Sequence, residues 1–71
     1  MSYPVIEQET TIVWEQATRL YTIYSTVPKH IRRLLKRAAM FEIKQQQVDE
    51  DGETFALKVR GSKLPPASTF N

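Results

Sequence analysis

Nine consecutive residues, Lys29 to Arg37, hold Lys29, Arg32, Arg33, Lys36 and Arg37, half of the chain's ten lysines and arginines. No acidic residue lies between Glu15 and Glu42. Guanidinium and ammonium groups gathered in this way are suited to holding anions. Arginine forks match phosphate and carboxylate oxygens in pairs, and several cations in a row suit the repeating charge of a nucleic-acid backbone. Trp14, Tyr21 and Tyr24 would add stacking surfaces wherever their rings are exposed.

Other chemistry has less material. His30 is the only histidine and there is no cysteine, so a histidine or thiolate metal cluster has no parts, and a catalytic triad finds little support. His30 lies between Lys29 and Ile31 and reads as a solvated histidine on a helix surface. Asp49, Glu50, Asp51 and Glu53 lack the ligand spacing of a calcium loop and read as a solvated turn. Neither Gly52 nor Gly61 belongs to a phosphate-loop pattern. A non-enzymatic protein with no metal or cofactor is the expectation.

The cations must be carried by a helix. From Lys29 to Ala39 nearly every residue is a good helix former. Pro28 suits a first turn, and Ser25 or Thr26 is the candidate N-cap. Advancing about 100° per residue, Val27, Pro28, Ile31, Leu34, Leu35, Ala38 and Ala39 fall on one arc. Lys29, His30, Arg32, Arg33, Lys36 and Arg37 fall on the other. A charged outer face serves solubility in most small proteins, but such faces usually mix signs, because acid–base pairs four residues apart add support. This one repels itself by a few tenths of a kcal/mol per pair, which favours an anionic partner.

Strands must flank that helix. TTIVWE (Thr10–Glu15) and RLYTIYS (Arg19–Ser25) are rich in β-branched and aromatic residues and suggest a hairpin across a short polar break. MFEIKQQQV (Met40–Val48) and TFALKVR (Thr54–Arg60) alternate with period two: Phe41 and Ile43 point one way and Glu42 and Lys44 the other, and Phe55, Leu57 and Val59 point inward. Asp51-Gly52 between them is the strongest turn signal in the chain. The expected fold is α+β: a β-β-α-β-β order forming an antiparallel sheet of about four strands with one amphipathic helix on one face. It would form a single small domain: residues 1–9 as an extended arm, 10–60 as the core, and 61–71 as an extended tail that Leu64 or Phe70 could pin.

The first hairpin is apolar on both sides, through Val13, Trp14, Leu20, Tyr21, Ile23 and Tyr24, yet one helix covers only one face. Either the arm or the tail covers the remainder, or an aromatic sheet face drives self-association into a homodimer. No secretory signal and no apolar run of about 20 residues is present, so a soluble protein that does not enter a membrane is expected. A membrane surface suits the helix poorly, because its short apolar face is needed by the sheet. The partners it fits are nucleic acid, a nucleic-acid-handling protein complex, or another acidic protein surface.

The succession TTIVW, LYTIYST, PKHIRRLLKR and LKVRGSKL resembles small accessory proteins encoded by phages and mobile elements of Gram-positive bacteria, over about residues 9 to 65. In those a strand is followed by one with a Tyr-Thr pair (here Tyr21-Thr22), a short basic helix with an Ile-x-Lys/Arg-Leu pattern (here Ile31 to Leu34), and a β-hairpin. The resemblance carries no catalytic motif and transfers no functional residue. It implies the cytoplasm of a bacterial host cell as the setting, and a role such as inhibition of a host defence complex, as anti-CRISPR proteins perform.

Overall fold

The computed structural model describes residues 8–71. Strands β1 (Thr10–Glu15) and β2 (Leu20–Ser25) precede helix α1 (Pro28–Lys36), and strands β3 (Glu42–Val48) and β4 (Thr54–Gly61) follow it. Short 3-10 turns lie at Ala38–Met40 and Ala67–Phe70. The four strands form one antiparallel sheet in the order β1-β2-β4-β3, so the fold is α+β with the expected element order. The two hairpins join through β2 and β4, where Ile23 lies opposite Val59 and Ser25 opposite Leu57. This central pairing puts the two most buried strands under the helix. Ile31 and Leu34 close over Ile23, Leu57 and Val59, with Leu35, Phe41 and Phe70 packed at the margin. Each large side chain removed from water there contributes about 1.5–3 kcal/mol, and in a chain this small a single one is a sizeable share of the total.

Several local expectations are corrected. The helix is capped by Val27, with no side-chain hydrogen bond, and not by Ser25 or Thr26. Proline forces the residue before it into an extended conformation, so Val27 becomes the last non-helical residue and the hydroxyls sit too far back. They serve other bonds: Ser25 Oγ accepts from the Val27 N–H at 3.1 Å, and Thr26 Oγ1 accepts from the Glu9 N–H at 2.9 Å. At its far end the helix stops at Lys36, short of Ala39, and tightens. The Arg37, Met40 and Phe41 N–H groups reach back three residues to Leu34, Arg37 and Ala38. With no glycine or asparagine to cap it, the chain satisfies those carbonyls by 3-10 bonds.

Arg19 is not a strand residue. It closes the β1–β2 turn with φ 57° and donates its N–H to the Glu15 carbonyl at 2.7 Å. Asp51-Gly52 marks a hairpin, with Gly52 at φ 82°. Its turn is a three-residue loop: the Gly52 N–H reaches the Asp49 carbonyl, the Asp49 N–H reaches that of Glu53, and Asp49 Oδ1 accepts from Asp51 and Glu53. Ile43 lies opposite Val59 but is 42% exposed, because edge strand β3 runs beyond the cover of a nine-residue helix. Residues 62–71 do not run as a plain extended tail. Leu64 is exposed, whereas Phe70 packs on the core and holds the Ala67–Phe70 turn against α1. Of the expected N-terminal arm, residues 1–7 lie outside the described residues, and Glu9 extends the β1–β2 ladder to Thr26.

Candidate functional site

The packing of α1 sorts its cations into two groups. Ile31 and Leu34 point into the core. One flank carries His30, Arg33 and Arg37 and is covered by the chain's last turn. Arg33 Nη1 donates to the Ser68 carbonyl at 3.0 Å and to the backbone oxygen of Asn71. The His30 ring meets Phe70 edge-on, with centroids 5.7 Å apart. The outer arc carries Lys29, Arg32 and Lys36, all exposed. None of the five cations pairs with an aspartate or glutamate side chain among the described residues; the side-chain pairs there are Lys44–Glu42 and Arg60–Glu15, both at 3.3 Å. The cationic face is thus open to an external anion, although Arg33 is committed to positioning the tail.

His30 is not the solvated surface residue expected. Its Nδ1 lies 2.7 Å from Thr10 Oγ1, which is itself 2.7 Å from Ser25 Oγ, and its Nε2 is buried with no partner among the described residues. The helical wheel places His30 at the edge of the polar arc, and the returning tail with Phe70 turns that edge into an interior. A buried ring nitrogen without a hydrogen-bond partner costs free energy, and the contacts His30 does make are structural: they tie β1 and the last turn to α1.

The three aromatic candidates do not form one platform. Strand alternation and register place Trp14 opposite Tyr21 on the helix side of the sheet, and their ring centroids lie 4.7 Å apart. Tyr24 faces the other side, opposite Thr11 on β1 and Lys58 on β4. That far face is mainly polar: Arg60 there bonds Glu15 and Thr22. The longest exposed apolar run is instead on edge strand β1, where Ile12, Val13 and Trp14 are 43%, 53% and 44% exposed; Ile43 and Val48 on β3, Met40 and Leu64 are exposed singly. Their β-rich composition was legible, but edge position depends on strand order.

Two depressions flank the helix. One, of about 530 Å³, is lined by Arg33, Lys36, Arg37, Ser68 and Thr69. The other, of about 270 Å³, lies between α1 and the β3–β4 turn and includes Arg32 and Glu53. The first was hidden from sequence reasoning because its second wall is the tail. Among the described residues no group of three or more histidine, cysteine, aspartate or glutamate side chains is placed to hold a metal, and no helix is long and apolar enough to cross a membrane. No family model, curated protein or solved structure matches the chain.

Proposed function

We propose that this chain is a non-enzymatic binding protein that engages nucleic acid, or a nucleic-acid-handling protein complex, through the outward face of α1. One observation carries the reading: five cations sit on ten residues of helix and cap, and none pairs with an aspartate or glutamate side chain among the described residues. Clustered like charges destabilise an isolated fold and repay that cost when an anion arrives. The resemblance to small phage and mobile-element proteins supports the inhibitor form, acting on a defence complex in the cytoplasm of a bacterial host cell.

The test replaces cations that do no structural work. The double variant Lys29→Glu with Arg32→Glu keeps Arg33 on the tail and relieves like-charge repulsion, so its circular dichroism should match wild type and its melting temperature should be no lower. Its binding to single- and double-stranded nucleic acid, and to nuclease complexes captured from a bacterial lysate, should be lost. A folded variant that binds every partner as wild type does would remove the helix face from the reading. Capture of a defence complex without affinity for free nucleic acid would select the inhibitor form.

A second reading, an assembly module, is favoured by β1. Its Ile12, Val13 and Trp14 are exposed on an edge strand that carries no lysine, proline or bulge. The opposite edge, β3, has two register shifts and a lysine, the devices that usually keep sheet edges apart. Two copies pairing through β1 would continue the sheet; the surface is therefore an edge, not an aromatic face.

A further inference from the structure

We propose that the groove between the end of α1 and the Ala67–Phe70 turn seats a phosphate monoester. The proposal deepens the anion-binding reading above and rests on it, since both need the cations of α1 to lack partners of their own. Arg33 lies three residues before Lys36 and four before Arg37, so it neighbours both, one on the outer arc and one on the covered flank, at the helix end. All three line the same groove of about 530 Å³. Arg33 is already fixed by the Ser68 and Asn71 backbone oxygens, so one wall is rigid before any ligand arrives. Lys36 and Arg37 bring two further positive charges with no hydrogen-bond or ion-pair partner among the described residues.

Thr69 supplies the independent observation. It lines the groove, is only 2% exposed, and its Oγ1 has no hydrogen-bond partner among the described residues. A buried hydroxyl without an acceptor is costly, and a phosphate oxygen is the acceptor that the neighbouring charges would draw in. The carbonyl end of α1 opposes an anion here, but it amounts to about half an elementary charge spread over the last turn, against two unpaired full charges. A monoester near neutral pH carries close to two negative charges and several acceptor oxygens, which matches two cations and one hydroxyl better than a singly charged diester does. The smaller depression does not qualify, because Glu53 lines it beside Arg32.

The experiment titrates the full chain with inorganic phosphate and with chloride at matched ionic strength, following amide and arginine Nε–H resonances by NMR. Saturable phosphate shifts confined to Ser68, Thr69 and Arg37 are expected. Lys36→Gln should weaken them by about tenfold, the effect of losing one charged contact. Thr69→Val, which keeps shape and loses the hydroxyl, should weaken them by about threefold without lowering the melting temperature. Shifts identical for phosphate and chloride, or unaffected by both variants, would overturn the site. Comparing a 5′-phosphorylated with an unphosphorylated oligonucleotide then separates the sources. An affinity gain that Thr69→Val abolishes assigns the site to nucleic-acid ends; binding of phosphate or a mononucleotide without that gain assigns it to a small metabolite. If Lys29→Glu with Arg32→Glu leaves nucleic-acid binding intact while phosphate still seats, the broader reading fails and the groove stands. If that double variant loses nucleic acid while wild-type phosphate shifts track chloride, the groove fails alone.

Discussion

At Gly61 the absence of a side chain is what the packing requires. A Cβ there would lie 2.7 Å from Phe41 Cδ1 and 2.9 Å from the Met40 carbonyl oxygen, closer than real carbon contacts come. The second neighbour is backbone at the end of the Ala38–Met40 turn and has little room to yield. Gly61→Ala should therefore destabilise the protein by about 1–3 kcal/mol, the usual cost of overpacking. Urea titration of Gly61→Ala alone and with Phe41→Leu checks the cause: the smaller side chain should recover part of the loss, a coupling that distant sites do not show. Gly52 is the contrast. Nothing lies within 4 Å of a Cβ built there, and its φ of +82° alone restricts it, so Gly52→Ala should cost about 1 kcal/mol with no coupling to Phe41. Equal losses at the two glycines, both independent of Phe41, would contradict this packing account.

The last ten residues act as an element in their own right, because Phe70 and Arg33 fasten them to α1. Phe70→Ala should cost about 1–3 kcal/mol, less than a fully buried phenylalanine because the ring is only half-buried. Amide hydrogen exchange should accelerate at Thr69 and Asn71, whose N–H groups bond within the turn; unchanged protection there would mean that the ring does not hold the turn. The legibility of the chain follows the same division. The helix, its basic arc, both hairpins and the Asp51-Gly52 turn could be read from periodicity and turn chemistry, because those signals are local. The N-cap lies one or two residues beyond Ser25 and Thr26 because the restriction that Pro28 puts on Val27 outweighs their capping preference. The roles of His30 and Arg33 were not readable at all. Both depend on the tail, which meets the helix some 40 residues later, and long-range contacts leave no periodicity in either segment. The same holds for Trp14 and Tyr24: their types were visible, but their separation onto opposite faces needed the β1–β2 register.

Across the whole molecule, the densest charge and the longest exposed apolar run occupy different places: five cations lie on α1 and its cap, and Ile12, Val13 and Trp14 lie consecutively on β1 at one edge of the sheet. The two readings of the protein are therefore separable by experiment. Alternation along β1 sharpens the second. The Thr26 N–H bonds the Glu9 carbonyl, so Glu9, Thr11 and Val13 point their backbone groups toward β2, and those of Thr10, Ile12 and Trp14 point to the free edge. An antiparallel pairing of two β1 strands centred on Val13 would bond Ile12 to Trp14 of the second copy and bring the two Val13 side chains together on the opposite face. Val13→Lys puts two like charges at that centre, the device that edge strands commonly use against association. If β1 assembles the protein, sedimentation equilibrium should show a wild-type dimer that Val13→Lys converts to a monomer. Nucleic-acid affinity per chain should then keep its salt dependence, a slope of about −3 in log K against log salt if Lys29, Arg32 and Lys36 each meet one duplex phosphate. Lys29→Glu with Arg32→Glu should do the reverse, flattening the slope while leaving the mass unchanged. A variant that alters mass and slope together would mean that anion binding requires two copies, and that the helix face and the strand edge serve one site.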